Sequence, residues 1–462
     1  MNSTTDQQKS NWSAGIARRI ITPGSDVELA GLGYYLNRTA ERIRDDLTAT
    51  ALVISDVAGQ SVVLIAMDLM YNDAKFTQAI RAQVAASTHI PAQTICVNFS
   101  HSHNAPTAGY ARGVGELNPA YLEFAAKQAA EAAIEAWQRR VPVRLRVGAG
   151  EITEISFNRT RENGPVDHHL SVLRADTLDE TPLAVAINFH CHLNAHLDLD
   201  FRAVSRDWSG EVIDQIETAL PGVTAIYLQG TCGDVMVSPA FASTERRFEV
   251  AQRVTTTTLD AWKNSKTIDG GNISGLTRKI KLPTRRWSRE EVMQFRAEGL
   301  HRLATGDTDH WLDGLARSIV TYPGRLPVRY GGSVEKAVAA LSKFAVEWSE
   351  EMLLALKDRP EFVETELQAL RIGDVWFIAH ESELFTSFGL ALRHRWPDKD
   401  LFMLGYSNGS IGYLPDAHDI ERRSYAAEQS PKFTGQFPFT AQAGAVMVSG
   451  MLDTLTELKL NQ

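Results

Sequence analysis

A chain of 462 residues with 44% apolar and 22% charged side chains has an ordinary globular composition, sufficient for one large domain or two to three smaller ones. Its net charge of −9, with no local Lys/Arg cluster, argues against a nucleic-acid binder. No apolar run reaches membrane-spanning length and no signal segment opens the chain, so no integral membrane segment is expected and the cytoplasm is the expected compartment.

Residues 1–12 are polar and expected to be disordered, leaving 13–462 as one folded unit. Residues 14–22 then read as a strand running into the Pro23-Gly24 turn, and 47–56 with 61–68 as a β-hairpin through Ala58-Gly59-Gln60. The apolar spacing of 74–87 predicts a helix crossing back to a strand at 94–99, which completes a β-α-β unit. An Ala-rich amphipathic helix follows over 119–140, and 141–150 returns as a strand. Strands at 170–175 and 183–189, a helix at 207–220, a strand at 224–228, a helix at 245–264 and a strand at 270–282 continue the alternation. From about 284 to 360 the composition shifts to long, charged, Trp-bearing helical segments broken over 321–332, which reads as a helical insertion or lid. A hairpin over 364–372 and 374–380, a helix over 383–396 and a strand at 401–406 are the last clear elements. The fold class is α/β: a mixed β-sheet core with flanking helices, a helical insertion, and a site at strand C-terminal ends.

The chemistry concentrates where apolar runs stop. The stretch Val97-Asn-Phe-Ser-His-Ser-His-Asn-Ala-Pro106 carries His101 and His103, which strand alternation would project to one side. His190 and His192 close another run, Asp234 a third, and His380-Glu-Ser-Glu383 a fourth, with Tyr413 in a later loop. Any one of these could simply cap a strand. Four apolar runs that all end in metal-type ligands form a set, and neutral imidazoles with a carboxylate are the usual hydrolytic zinc environment. Serine chemistry is less attractive, because no Gly-x-Ser-x-Gly elbow exists and Ser102 would point away from its flanking histidines. Neither Gly31-x-Gly33 nor Gly113-x-Gly115 completes a phosphate-binding loop. Cys96, Cys191 and Cys232 have no metal or disulfide spacing and read as small core residues.

The ordered series Gly15-Ile-Ala-Arg-Arg-Ile-Ile-Thr-Pro23, Ser100-His-Ser-His-Asn-Ala-Pro106, Asn188-Phe-His-Cys-His192, Ser205-Arg-Asp207, Gln229-Gly-Thr-Cys-Gly-Asp234, Glu383 and Gly412-Tyr-Leu-Pro415 resembles the neutral/alkaline (non-lysosomal) ceramidase family, with 288–357 unmatched. The resemblance implies a zinc-hydrolase catalytic domain holding one Zn2+ through His101, His192, Glu383 and Tyr413, with His190 extra to the pattern. It also implies catalytic roles for His103, Arg159 and Tyr425 in stabilising the tetrahedral intermediate formed when a zinc-bound hydroxide attacks an amide carbonyl. The departures bear on the substrate. Family ceramidases carry a C-terminal immunoglobulin-like domain, for which this chain ends too soon after Tyr425. Ser382 replaces the family's glycine, and 193–204, with His196, Asp198 and Asp200, is more acidic and histidine-rich than the family pattern. The expected substrate is therefore a linear amide, an N-acyl compound or other small soluble amide, with true ceramidase activity or an esterase, lactonase or carbamate hydrolase on the same zinc site as alternatives. A second metal at His190, His196, Asp198 and Asp207 is less favoured, because Asp207 is expected to cap its helix. A non-catalytic binding protein on this scaffold is the reading from a different class. Trp287, Trp311, Tyr322 and Tyr330 could line the pocket, although such aromatics more often pack helices; a homo-oligomer is compatible with the composition.

Overall fold

The hairpin strands Thr48–Asp56 and Ser61–Met67 are buried at every position, so both faces of their sheet must be covered. The structure, a computed structural model, describes residues 11–24, 27–195, 201–241, 243, 246–268, 271–317 and 323–461, and shows what covers them. The larger sheet runs in the order Thr224–Gln229, Pro182–Phe189, His169–Thr177, Val141–Glu151, Trp12–Ile20, Thr48–Asp56, Ser61–Met67, Ile95–Phe99, with the short Lys266–Thr267 strand added beside Val141–Glu151. Its two outermost pairs are parallel and the pairs between them antiparallel. Each parallel pair is joined across a helix, Ala74–Thr88 on one edge and Asp207–Ala219 on the other.

A second sheet, Ile273–Pro283, Phe362–Ile372, Val375–His380 and Leu401–Leu404, packs on the inner face of the first. Leu52, Ile54, Leu64 and Leu228 there meet Leu370, Phe377, Phe402 and Leu404. Helices Pro119–Gln138 and Arg247–Lys263, with the two crossover helices, cover the outer face of the first sheet. Helices Thr386–Arg395 and Ala443–Leu460 cover that of the second. The order helix, sheet, sheet, helix explains the wholly apolar strands, since each large side chain so buried contributes about 1.5–3 kcal/mol. The glycine at Gly15 lets the Pro119–Gln138 helix sit directly on the first strand, where a Cβ would come within 2.0 Å of Ala136 O.

The expected α/β class holds, its mixed β-sheet core consisting of two stacked sheets. Three local expectations change. Trp12 is buried and opens the first strand rather than closing a disordered tail, while 1–10 lie outside the described residues. Glu383 lies on a two-residue strand, Glu383–Leu384, and the helix begins only at Thr386; pairing with Tyr413–Leu414 outweighs the helical spacing of that segment. The helix Ala443–Leu460 is absent from the predicted elements, although Ala443, Met447, Met451, Thr454 and Leu458 form a buried stripe at helical spacing.

The insertion is helical as expected: Arg289–Thr305, opened by the Ser288–Glu291 capping box, and Val334–Ala355, with a 3-10 segment Pro323–Tyr330 between them. Its core, Trp287, Val292, Trp311, Phe344 and Trp348, packs against Tyr34, Val114, Phe433 and Phe437 of the main body. Lys432 enters that core, its ammonium 4.2 Å from the Phe295 ring centroid and 5.4 Å from that of Trp348. Burial pushes its pKa down to about 8.

Candidate metal centre

Five strands end together. The larger sheet curls until its edge strands meet through Asn98, which accepts from Gln229 N at 2.7 Å and donates from Nδ2 to Gln229 O at 3.2 Å. The same Nδ2 donates to Gly405 O at 2.7 Å, which ties the second sheet to the corner. Past Phe99 the chain does not continue as a strand: His101 sits at φ +62°, a left-handed turn. His101 and His103 thus meet through a turn, not through strand alternation, with ring centroids 5.0 Å apart and planes at 88°. A non-glycine residue held at positive φ is strained, and such strain clusters at functional sites. Ser102 does face away, donating to Ser205 O at 2.6 Å.

Three backbone carbonyls orient the imidazoles. His101 Nδ1 lies 2.9 Å from Met70 O, His103 Nδ1 3.2 Å from Gly31 O, and His192 Nδ1 2.9 Å from Val235 O. A carbonyl only accepts, so each Nδ1 carries a proton, and in the neutral ring each Nε2 turns a lone pair inward. Among the described residues these three form a group whose ligating nitrogens lie within 4.8 Å of one another. Glu383 approaches from the facing strand, its Oε2 3.3 Å from His101 Nε2 and 3.7 Å from His192 Nε2. Gly233 makes room for that strand, since a Cβ there would come within 2.4 Å of Glu383 O. Four ligands at metal bonds of about 2.1 Å in a tetrahedron are spaced by about 3.4 Å. The Nε2 atoms of His101, His103 and His192 and Oε2 of Glu383 are all buried without a hydrogen-bond partner. Buried lone pairs facing one another repel, and a cation between them relieves that repulsion, so the donor set fits a divalent metal.

The electrostatics agree. Burial lowers His192 to about 4 against the pull of Glu383, and burial together with His101 and His192 holds His103 well below its usual value. Burial would raise Glu383, but His101 and His192 outweigh it and keep the carboxyl far below the usual range. Neutral imidazoles beside a carboxylate are the ligand-competent forms.

Tyr413 is the strand partner of Glu383, and its hydroxyl accepts from Arg159 Nη2 at 2.7 Å. Arg159 also donates to Gly233 O at 2.8 Å, and the Tyr425 ring lies 5.7 Å from that of Tyr413. Burial raises the pKa of both tyrosines, Arg159 opposing, so both keep the phenolic proton. All seven predicted residues, His101, His103, Arg159, His192, Glu383, Tyr413 and Tyr425, therefore converge on one corner.

Other candidates do not. His190 Nδ1 accepts from Thr231 N at 2.9 Å and its Nε2 faces Asp167 at 3.6 Å, outside the imidazole group. Asp207 opens its helix and accepts from Trp208 N and Ala195 N, a local anchoring role. His196, Asp198 and Asp200, with Tyr322, lie outside the described residues. Asp234 is taken up by Thr386 and Asn158, His380 by Ser382, and Glu381 by Thr365. Trp287 and Trp311 pack in the insertion core and Tyr330 donates to Tyr34 O, so they do not line the site. The three cysteines are buried and free, as expected. Sequence reasoning passed over Tyr406, whose ring lies 4.3 Å from that of His101, and Tyr71, edge-on to it at 5.5 Å. It also passed over Arg38, which donates to His103 O. Tyr406 follows a strand end just as the histidines do, and that position was its one signal.

No family model and no curated protein matches the sequence. Among solved structures the chain is similar to the neutral ceramidase of Pseudomonas aeruginosa, at TM-score 0.71 and 14% identity over 98% of this chain and 75% of that one. It is similar to a ceramidase complexed with C2 at TM-score 0.71 and 15% identity, over 98% of this chain and 76% of that one. The chain thus has a ceramidase-like fold. Among the described residues no helix is long and apolar enough to cross a membrane.

Proposed function

We propose that this protein is a zinc-dependent amidohydrolase that cleaves a linear amide, an N-acyl compound or another small soluble amide. One observation carries the reading: the unpartnered, buried Nε2 and Oε2 atoms of His101, His192 and Glu383 lie at metal-ligand spacing on a ceramidase-like fold. Bound through His101, His192, Glu383 and Tyr413, zinc would polarise an acyl carbonyl and bring the pKa of a water to roughly 7. His103 takes a different part. Its Nδ1 proton is fixed on Gly31 O, so its Nε2 can accept a proton and return it to the departing amine. Arg159 and protonated Tyr425 donate to the developing oxyanion, each such donor contributing about 3–4 kcal/mol in other hydrolases. The Arg159–Tyr413 hydrogen bond holds that guanidinium in place before the substrate arrives.

Elemental analysis of protein purified without added metal, run beside His101→Ala and Glu383→Ala, tests the reading. About one zinc per chain in wild type and its loss from both variants supports it. No metal even after zinc is supplied refutes it. Paired amide and ester substrates of the same acyl group then separate an amidase from an esterase.

A further inference from the structure

Arg38 is 1% exposed, yet its guanidinium is mostly unpaired. Nη2 donates to His103 O, while Nε and Nη1 are buried without any hydrogen-bond partner. The nearby acid does not supply one. Glu28 Oε1 accepts the Arg38 backbone N–H at 3.0 Å and Oε2 accepts Glu116 N at 3.2 Å. The Phe201 ring covers the guanidinium at 5.2 Å. Two further arginines face the same place. Arg202 is held by Glu41 and the carbonyls of Asn37 and Thr39. Arg329, half-buried on the 3-10 segment of the insertion, acts electrostatically on Arg38 on one side and on Tyr425 and Tyr34 on the other. Positive charge therefore flanks the site from His103 to Tyr425, in a chain whose net charge is negative. Burial and the neighbouring Arg329 bring the pKa of Arg38 down to about 9, which an anion on its free N–H groups would reverse. A guanidinium removed from water with donors unmet is costly, and a planar anion meets two donors at once.

We propose that Arg38 binds a carboxylate carried by the substrate, so that the amide cleaved is acidic, of the N-acyl amino acid type, and not a neutral lipid amide. The proposal rests on the hydrolytic reading of the adjacent centre. No covalent step is added; the carboxylate is bound, not transformed.

Two matched pairs test it on the full-length protein. Hippurate against hippuramide places the carboxylate on the amine half, and N-benzylsuccinamate against its neutral terminal amide places it on the acyl half. Wild type is expected to favour the acidic member of one pair by about 100-fold in kcat/KM, because buried donors left unmet reject the neutral analogue. Arg38→Gln should bring that ratio close to one. Should Arg38→Gln fail to fold, judged by its melting curve, Arg38→Lys, which keeps the charge and loses the planar fork, carries the test with a loss of preference of about tenfold. Calorimetric titration of hippurate and N-benzylsuccinamate into chelator-treated wild type adds a readout free of turnover: one of them should bind, and Arg38→Gln should abolish that binding. Equal hydrolysis of acidic and neutral members in wild type overturns the carboxylate site while leaving the hydrolase standing. Arg38-dependent binding to a protein that cleaves no amide sinks the hydrolase and leaves the carboxylate site.

Discussion

Stripping the metal and restoring it should move the melting temperature by an amount that the chain length sets. The proposed site joins residues from four distant segments, His101, His192, Glu383 and Tyr413, so it would exist only in the folded protein and a zinc ion held there would bind that state alone. At free zinc a thousandfold above Kd the folded state gains about 4.1 kcal/mol. Unfolding 462 residues at roughly 2.1 cal/mol/K each gives an entropy near 1 kcal/mol/K, so the expected rise is about 4 °C. Scanning fluorimetry of chelator-treated protein, with and without zinc, measures it. His101→Ala and His192→Ala should lose the rise. Glu383→Gln, which removes the carboxylate 3.3 Å from His101 Nε2 but keeps its shape, should lose most of it. His103→Ala should keep it. No rise in wild type refutes the metal site. A rise abolished in His103→Ala but intact in Glu383→Gln refutes the ligand set and assigns the metal to the three imidazoles.

Tyr425→Phe and Arg159→Met should each lower kcat by about 100- to 1000-fold with little change in KM, and a change confined to KM would place them in ground-state binding instead. Asp234→Ala leaves Thr386 N and Asn158 Nδ2 without their acceptor in a buried corner, at a cost of about 3 kcal/mol in urea unfolding; a loss under 1 kcal/mol would contradict its anchoring role. Burial lowers His380 to about 3 from an ordinary 6.5. The unfolded chain then binds the extra proton, so this group's share of stability is complete above pH 6.5 and is lost as pH falls towards 3. Substituting Gln for His380 should flatten the slope of unfolding free energy in that window by about 1.4 kcal/mol per pH unit, and an unchanged slope would show that the imidazole already titrates normally.

Much of this architecture was legible in the amino-acid order because local patterns carry it. Runs such as Leu52–Ile54 and Val62–Ile65 are apolar at every position, which announces strands covered on both faces. The histidines and Glu383 stand where such runs stop, while Arg159 and Tyr425 are singled out only by the ordered motifs that resemble the ceramidase family. What those runs leave unstated is which surface covers them, so the stacking of a second sheet on the first emerged only in three dimensions. Glu383 shows the same limit on a smaller scale. Its segment has helical spacing, but two residues of pairing with Tyr413 and Leu414 hold it extended.

His190 and His192 are two residues apart and alike in residue type and spacing, and only the family resemblance favours His192 in the sequence. Tertiary structure separates them, turning one to Asp167 and the other to Glu383. The carbonyls of Met70, Gly31 and Val235 choose the tautomers, yet every residue has a carbonyl, so nothing in a sequence marks these three. Arg38 is likewise an unremarked arginine until folding buries it against His103 with its donors unmet. Residue type and periodicity are local and are written in the chain; which lone pair or N–H group is left without a partner is a property of the packed whole, and here only the tertiary structure decided it.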